Sequence, residues 1–243
     1  MSINFAVVTP LANESSDFAP FTEAVIAVFD SLGSGCCYLV VDTVSKDNTL
    51  ELCHALSARD SRFITIWAPE NRNVVQAYMV GYKTALAAGH EFIIEMDAGL
   101  SHDPAALPLF LSALAAGNEC AYGCRFMKGG SITDSSSKRS LLSKSGTLLS
   151  RLLLGLRLRD STSGFQGFHR SIVENFLGYS LLSKAHFFHV ELRYLLRSKR
   201  FVEIPIHYRA PSPSVSSKVV SNSLGVLMHY FSLRLKGKAP EIR

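Results

Sequence analysis

Two short polar clusters interrupt an otherwise apolar first half of the chain, and both are made of residues that can hold phosphate, ribose or a metal ion. The first is Asp42-Thr43-Val44-Ser45-Lys46-Asp47-Asn48-Thr49. A carboxylate followed by Ser, Asp and Thr in a tight turn can accept hydrogen bonds from a base or a ribose. Asp47 is equally placed to cap the helix that follows. The second is Asp97-Ala98-Gly99-Leu100-Ser101-His102-Asp103-Pro104. A hard divalent ion needs only one or two carboxylates when substrate phosphates complete its shell, and it would neutralise a departing diphosphate. The plainer alternative is a strand-end turn in which Asp103 caps a helix opened by Pro104. A third group is cationic: Arg125, Arg139, Arg209 and Lys218. The guanidinium fork suits phosphate, although each of these residues taken singly also fits a solvated surface. The fourth cluster, Asp160 to Phe165, contains Gly164, where a backbone can approach a ligand closely. A plain turn fits the same residues.

These clusters need a scaffold, and hydrophobic periodicity supplies one. Apolar runs at 4–9, 36–41, 62–67, 91–96 and 119–123 read as strands, the first stopped by Pro10. Helical spacing at 18–32, 47–57, 74–88 and 104–116 lies between them, with Gly89 and Pro104 as stop and start signals. Near-continuous apolar strands alternating with helices predict a parallel sheet covered on both faces. Ligands bind such sheets at the carboxyl ends of the strands, and Asp42 and Asp97 both fall there. A nucleotide-sized crevice containing both carboxylates is the expectation.

The pattern changes after Gly123. Residues 127–137 are rich in Gly and Ser and predict a loop. Leucines at 141, 142, 148, 149, 152, 153, 154, 156 and 158 then form a broad helical stripe edged by Lys138, Arg139, Lys144, Arg151, Arg157 and Arg159. An apolar stripe with a basic margin fits an interfacial helix, and it also fits an ordinary core-facing one. A polar turn at 160–165, helices at 171–177 and 184–198, a strand at 201–206 and a Pro/Ser loop at 210–217 follow. Residues 218–235 form a second amphipathic segment with Leu224, Leu227, Met228, Phe231 and Leu235 on one side.

Charge divides the same way. Residues 1–124 carry 5 basic and 14 acidic side chains, residues 125–159 carry 8 and 1, and residues 160–243 carry 12 and 5. The basic second half points to an anionic partner. Its cations are interleaved with leucine rather than with aromatics suited to base stacking, which argues against nucleic acid. The five cysteines form no CxxC pair and fit a reduced setting. Residues 1–10 lack the basic and long apolar regions of a signal peptide, and no run of about 18 apolar residues predicts a spanning helix.

Together the motifs resemble a known family. VVTPLANE (7–14), VDTVSKDNT (41–49), EMDAGLSHDP (95–104), GCRF (123–126), SKRSLLSKSG (137–146), DSTSGFQGF (160–168), FHVELRYLLR (188–197) and VEIPIHYR with SSK (202–218) occur in the order of family 2 glycosyltransferases. The resemblance covers nearly the whole chain and runs to the polyprenyl-phosphate sugar transferases, such as dolichyl-phosphate mannosyltransferase. It implies an α/β GT-A fold: a Rossmann-like, mostly parallel central sheet flanked by helices, with C-terminal amphipathic helices. The implied division is a glycosyltransferase domain at 1–210, with a donor half at 1–124 and an acceptor half at 125–210, and a basic amphipathic segment at 211–243.

The resemblance also implies roles. Pro10, Glu14, Asp42, Ser45, Asp47 and Asp97 would bind the nucleotide sugar, with Arg209, Ser217 and Lys218 closing over the diphosphate. Arg125, Arg139 and Ser143 would bind the acceptor phosphate, and Asp97, Arg125 and Arg139 would form the catalytic group. Mg²⁺ or Mn²⁺ would sit at Asp97 with help from Ser101, His102 or Asp103. The chain departs from the family at Thr43, where a second Asp is usual, and at Gly99, where the DxD motif loses its second carboxylate. The implied reaction is a single inverting displacement from GDP-mannose or a UDP-hexose onto a polyprenyl phosphate. It would take place at the cytoplasmic membrane face, with the chain peripheral there and a small membrane-anchor subunit as a further partner. A polysaccharide or protein acceptor, and a non-catalytic nucleotide-sugar-binding role favoured by Gly99, remain open alternatives.

Overall fold

A computed structural model describes residues 3–133, 137–209 and 217–242, the side chains of 137–139 excepted. The five apolar runs of the first half become strands β1 (Phe5–Leu11), β2 (Cys36–Val41), β3 (Phe63–Trp67), β4 (Phe92–Glu95) and β5 (Cys120–Cys124). Helices α1 (Phe18–Leu32), α2 (Thr49–Arg59) and α3 (Val74–Ala87) connect the first four, and a 3₁₀ turn at Pro104–Ala106 leads into α4 (Leu107–Ala115). The second half adds β6 (Ser131–Thr133), α5 (Ser137–Leu149) running into a π turn at Ser150–Leu154, β7 (Gln166–His169) and α6 (Arg170–Leu177). It ends with α7 (Phe188–Leu195), β8 (Phe201–Pro205), β9 (His207–Arg209) and α8 (Ser217–Leu235).

Seven strands form one sheet in the order β3-β2-β1-β4-β7-β5-β8, and β6 pairs with β9 in a separate ribbon. The large sheet is parallel except at β7, which is antiparallel to both β4 and β5. This is the mostly parallel α/β architecture expected, with three differences. First, β1 continues through Pro10 to Leu11. Pairing with β4 reaches only Val8, while pairing with β2 continues to Leu11, so Pro10 sits where one ladder has already ended. Second, β7 was missed: Gln-Gly-Phe-His is short and has no apolar run. Its Gly167 is packed so closely that an added Cβ would lie 3.2 Å from Leu114 on α4 and 3.3 Å from Ile94 on β4. Third, β6 and β9 are too short to signal themselves. The Pro/Ser loop at 210–217 lies outside the described residues up to 216.

Two apolar clusters cover the sheet. Phe5, Phe21, Phe29, Phe63 and Phe110 fill one face beneath α1, α2 and α4. Tyr78, Tyr82, Phe168, Phe176 and Tyr194 fill the other beneath α3, α6 and α7. All five cysteines are free thiols.

The leucine-rich segment divides. Leu154, Leu156 and Leu158 are buried, whereas Leu141, Leu148 and Leu152 on α5 and its π turn are more than half exposed. Helix α8 holds this segment: Arg234 donates to the Leu153 carbonyl at 2.8 Å, closing the end of the π turn. Tyr230 donates to buried Glu191 on α7 at 2.7 Å. Among the described residues no helix is long and apolar enough to cross a membrane.

Helix α3 lies directly on β1 because Gly81 has no side chain; a Cβ there would overlap Val8 Cγ1. Gly81→Ala raises helix propensity yet overpacks a closed core, so a loss of about 1–3 kcal/mol is expected. Urea unfolding at unchanged m-value measures it; an unshifted midpoint would show that the interface can yield.

Candidate active site

Because β1, β2 and β4 are neighbours and parallel, Leu11, Asp42 and Asp97 leave the sheet at one edge. Asp42 turns the chain, accepting the Val44 N–H at 2.8 Å. The segment after β1 is then clamped onto the first polar cluster. The Asn13, Glu14 and Ser15 N–H groups donate to Ser45 Oγ, Thr49 Oγ1 and Asp47 Oδ2 at 3.1, 2.9 and 3.0 Å. Asp47 Oδ1 also accepts from Ser45 Oγ, Thr49 Oγ1 and the Thr49 N–H. These hydrogen bonds hold its carboxyl well below the usual carboxylate range. Both Asp47 oxygens are thereby committed to the loop that carries Glu14.

At the end of β4, Asp97 Oδ1 accepts from Tyr78 Oη at 2.5 Å. The Asp97 N–H donates to His102 Nδ1 at 3.1 Å. Burial works against ionisation of Asp97, but the nearby His102 and His186 rings and the Tyr78 hydroxyl outweigh it and hold the carboxyl below its usual range. His102 is fully buried, stacked on Phe165 and tilted against Tyr208. Burial pushes its pKa down to about 4, and its Nε2 has no hydrogen-bond partner among the described residues. The turn continues with left-handed backbone at Gly99 (φ 68°) and Leu100 (φ 57°). A Cβ at Gly99 would meet Glu14 Oε2 at 2.7 Å. Burial and the charges of Asp17, Asp97 and Asp47 raise the Glu14 carboxyl above its ordinary value.

Opposite this edge stands a buried ion pair. Arg125 donates to Asp160 through Nε at 2.7 Å and Nη2 at 2.8 Å, and to Thr162 Oγ1 at 2.6 Å. Burial raises the Asp160 pKa, but the bidentate guanidinium prevails and holds it below the ordinary value. From below, the fully buried Arg193 donates to the Asp160 and Ser163 carbonyls at 2.8 and 2.7 Å. This double anchor brings Gly164 beside Asp97, where a Cβ would meet His189 at 3.2 Å and Asp97 Oδ2 at 3.4 Å. His189 is oriented in turn: Nδ1 donates to the His186 carbonyl at 2.8 Å, and Nε2 meets buried Glu95 at 2.5 Å.

Between these walls lies a cavity of about 250 Å³. Asp97, Arg125, Thr162, Gly164 and His189 line its polar end, and Leu142, Leu149, Val190, Val219, Leu224 and Leu227 line its apolar walls from α5, α7 and α8.

The glycosyl transferase family 2 model matches residues 6–177. The chain belongs to that family. It is 30% identical over 208 residues to a polyprenol monophosphomannose synthase of Mycolicibacterium smegmatis, covering 84% of this chain and 78% of that protein. It is also 30% identical over 172 residues to an undecaprenyl-phosphate mannosyltransferase of Micrococcus luteus, covering 70% of each. In fold it is similar to glucosyl-3-phosphoglycerate synthase from Mycobacterium tuberculosis, solved with Mn²⁺, UDP-glucose and phosphoglyceric acid. The TM-score is 0.66 at 15% identity, over 97% of this chain and 80% of that one. The fold is of the GT-A type.

The expected site residues of this glycosyltransferase are distributed as follows. Pro10, Glu14, Asp42, Ser45, Asp47 and Asp97 gather at one sheet edge, although Ser45 and Asp47 spend their oxygens on the 13–15 loop. Arg125 and Ser143 line the cavity with Asp97. Three of the five Arg125 donor hydrogens are engaged within the chain, so Arg125 is a neutralised anchor before any phosphate arrives. Arg139 lies on α5, but its side chain is outside the described residues. Arg209 stands on β9, its N–H donating to the Ser101 carbonyl at 3.0 Å, which brings it beside the Asp97 turn. Exposed Ser217 and Lys218 open α8, directly before the cavity-lining Val219 and Val220.

The candidates named beside Asp97 for a metal ion differ in what already engages them. His102 is sealed, with Nδ1 accepting a backbone N–H. Asp103 accepts the Ala105 N–H at 2.9 Å and caps the 3₁₀ turn, the plainer of its two readings. Among the described residues no three His, Cys, Asp or Glu side chains are grouped to hold a metal ion. What remains is the Asp97 carboxylate with Glu14 across Gly99, a donor set that fits a hard divalent cation completed by phosphate oxygens. Sequence reasoning missed Arg193, which looks like one more helix cation and is known as an anchor only from its depth.

Asp160→Asn should cost about 3–5 kcal/mol, because it leaves the Arg125 charge buried and uncompensated. The native pair also sets a pH dependence. A depressed carboxyl stabilises the fold fully above its unfolded pKa of about 3.9, and that contribution is lost as pH falls through the lower folded value. Denaturant unfolding at pH 7 and at pH 3 should show the mutant's deficit shrinking in acid; an equal deficit at both would exclude the charge pair as its cause.

Proposed function

We propose that this glycosyltransferase moves a hexose from a nucleotide diphosphate sugar, with GDP-mannose first among the candidates, onto a polyprenyl phosphate at a membrane surface. The observation that carries the reading is the shape of the cavity. Its polar end holds Asp97 and Arg125, and its apolar end is built from Leu142, Leu149 and Leu224, which are themselves exposed. A phosphate with an isoprenoid tail matches both ends, whereas a sugar chain or a peptide would leave the leucines without a partner. The names of the two mannosyltransferase relatives point to the same acceptor class.

In this mechanism the donor nucleotide lies along the carboxyl edge of β1, β2 and β4, with Asp42 on the nucleoside and Asp97 at the diphosphate. A bound Mg²⁺ or Mn²⁺ would stabilise the negative charge that develops on the departing diphosphate. The acceptor is already an anion at neutral pH and needs no strong general base. Ser143 and the remaining Arg125 donors would orient its phosphate toward the anomeric carbon. The Arg125–Asp160 pair keeps that end of the cavity close to neutral, so one phosphate anion is held without being trapped. Displacement from the opposite face inverts the anomeric centre. Exposed Leu141, Leu148 and Leu152, with Lys144 and Arg151 beside them, would rest on the bilayer, each basic residue contributing roughly 1 kcal/mol near anionic lipid.

Asp97→Asn should lower transfer of labelled mannose from GDP-mannose to undecaprenyl phosphate by at least about 100-fold, read as solvent-extractable label. Retained turnover would remove Asp97 from the diphosphate site, and label remaining in the aqueous phase would move the acceptor to another class. Replacing Leu141, Leu148 and Leu152 together with serine should release the chain from phosphatidylglycerol vesicles in flotation while leaving thermal unfolding nearly unchanged. Unchanged flotation would count against the leucine surface.

A further inference from the structure

Helix α8 is unevenly held. Its buried side chains, Val226, Leu227 and Tyr230, all lie in its second half. That half and the tail beyond it are tied down repeatedly. The Tyr230 hydroxyl donates to Glu191 Oε1 at 2.7 Å, and the Tyr230 ring packs on Tyr194 with centroids 5.3 Å apart. Arg234 donates to the Leu153 carbonyl at 2.8 Å and Arg197 to the Pro240 carbonyl at 2.6 Å, while the Ile242 N–H donates to the Leu195 carbonyl at 2.9 Å. The first half is exposed or half-buried throughout, yet it supplies Val219, Val220, Ser223 and Leu224 to the wall of the cavity. Exposed Gly225 stands between the two halves, and a Cβ there would meet nothing within 4 Å.

The innermost of these ties is Glu191. It is fully buried on α7, and its carboxylate accepts from the Leu182 and Ser183 N–H groups at 2.7 and 2.8 Å as well as from Tyr230. A buried carboxylate is tolerated only with its oxygens satisfied, so this one fixes Tyr230 at a set depth. Helix α7 does not rely on that contact. Arg193 ties it to the Asp160 and Ser163 carbonyls, and His189 ties it to Glu95 on β4. Loss of the Tyr230 hydroxyl therefore loosens α8 rather than α7, and it leaves the polar end of the cavity in place.

We propose that Tyr230, held by Glu191, is a positioning residue for the lipid acceptor: it sets where the first half of α8 lies over the cavity, and so how the acceptor's tail is bound beyond its phosphate. This rests on the polyprenyl phosphate reading above. Tyr230 itself does not line the cavity; it acts through Val219, Val220, Ser223 and Leu224. The docked half and the cavity-lining half are one continuous helix, so a shift at Tyr230 is carried to the wall. Such a contact acts on the tail and not on the reacting phosphate, so it discriminates between long and short acceptors.

The test compares two acceptors in the same detergent at saturating GDP-mannose: undecaprenyl phosphate, and citronellyl phosphate with its much shorter tail. Tyr230→Phe removes one hydroxyl. It should raise KM for undecaprenyl phosphate about 5- to 10-fold, the worth of one hydrogen bond, at unchanged kcat. Transfer to citronellyl phosphate and KM for GDP-mannose should stay at wild-type values. A role in stability alone would lower transfer to both acceptors together, in step with the folded fraction. Gly225→Pro is the second variant. It interrupts α8 between anchor and wall where no packed neighbour is met, and it should give the same split with circular dichroism near wild type. It decides the outcome if Tyr230→Phe does not fold. Wild-type KM for undecaprenyl phosphate in either folded variant, or equal losses on the two acceptors, overturns the assignment and leaves glycosyl transfer standing. A wild-type chain that transfers mannose to neither acceptor overturns the reading on which it rests.

Discussion

The site depends on one buried charge cluster. Asp160 is fully buried between two guanidinium groups, Arg125 gripping its carboxylate and Arg193 its carbonyl. Burying three charged side chains is costly unless each is paired and hydrogen-bonded, and here the pairing ties together parts of the chain far apart in sequence. Arg125 follows β5, Asp160 follows the π turn, and Arg193 lies on α7. The result fixes the 160–164 turn against the end of β4, so that Gly164 packs beside Asp97 and His189. That constraint helps fix the carboxylate-bearing edge of the sheet against the leucine-lined cavity.

A division of labour follows. The first half contributes acidic side chains at one sheet edge, and the second contributes cations and apolar walls. Several residues that look reactive are in fact structural. Asp47 organises the 13–15 loop, Glu95 orients His189 while accepting from Tyr82 and Gln166, and Glu191 receives the Tyr230 hydroxyl that docks α8. At the turn after β4, Asp97 accepts from the Tyr78 hydroxyl, and Glu14 Oε2 stands 2.7 Å from where a Gly99 Cβ would lie.

Most of the scaffold was legible because buried parallel strands are near-continuous apolar runs, and β2 begins and ends where the run Cys36 to Val41 does. The antiparallel β7 was not legible. Its place in mid-sheet is owed to Gly167 admitting α4 and to Gln166 meeting Glu95, contacts that no local pattern reveals. That Asp42 and Asp97 leave the sheet at one edge was legible from strand ends alone. The packing of His102 was not legible: its ring stacks on Phe165 and receives a backbone N–H, contacts set by tertiary structure. That Gly99 lacks a carboxylate is plain from the sequence, but not that Glu14, 85 positions earlier, stands in front of it.

The central claim is that the diphosphate end at Asp97 and the lipid-shaped cavity between α5 and α8 are one continuous site. Photocrosslinking with a diazirine-bearing polyprenyl phosphate, followed by peptide mapping, tests it most directly. Label is expected on residues 142–149 and 219–227, and GDP-mannose turnover of the bound lipid should deplete it. Label confined to other surfaces, or indifferent to the donor, would contradict the account.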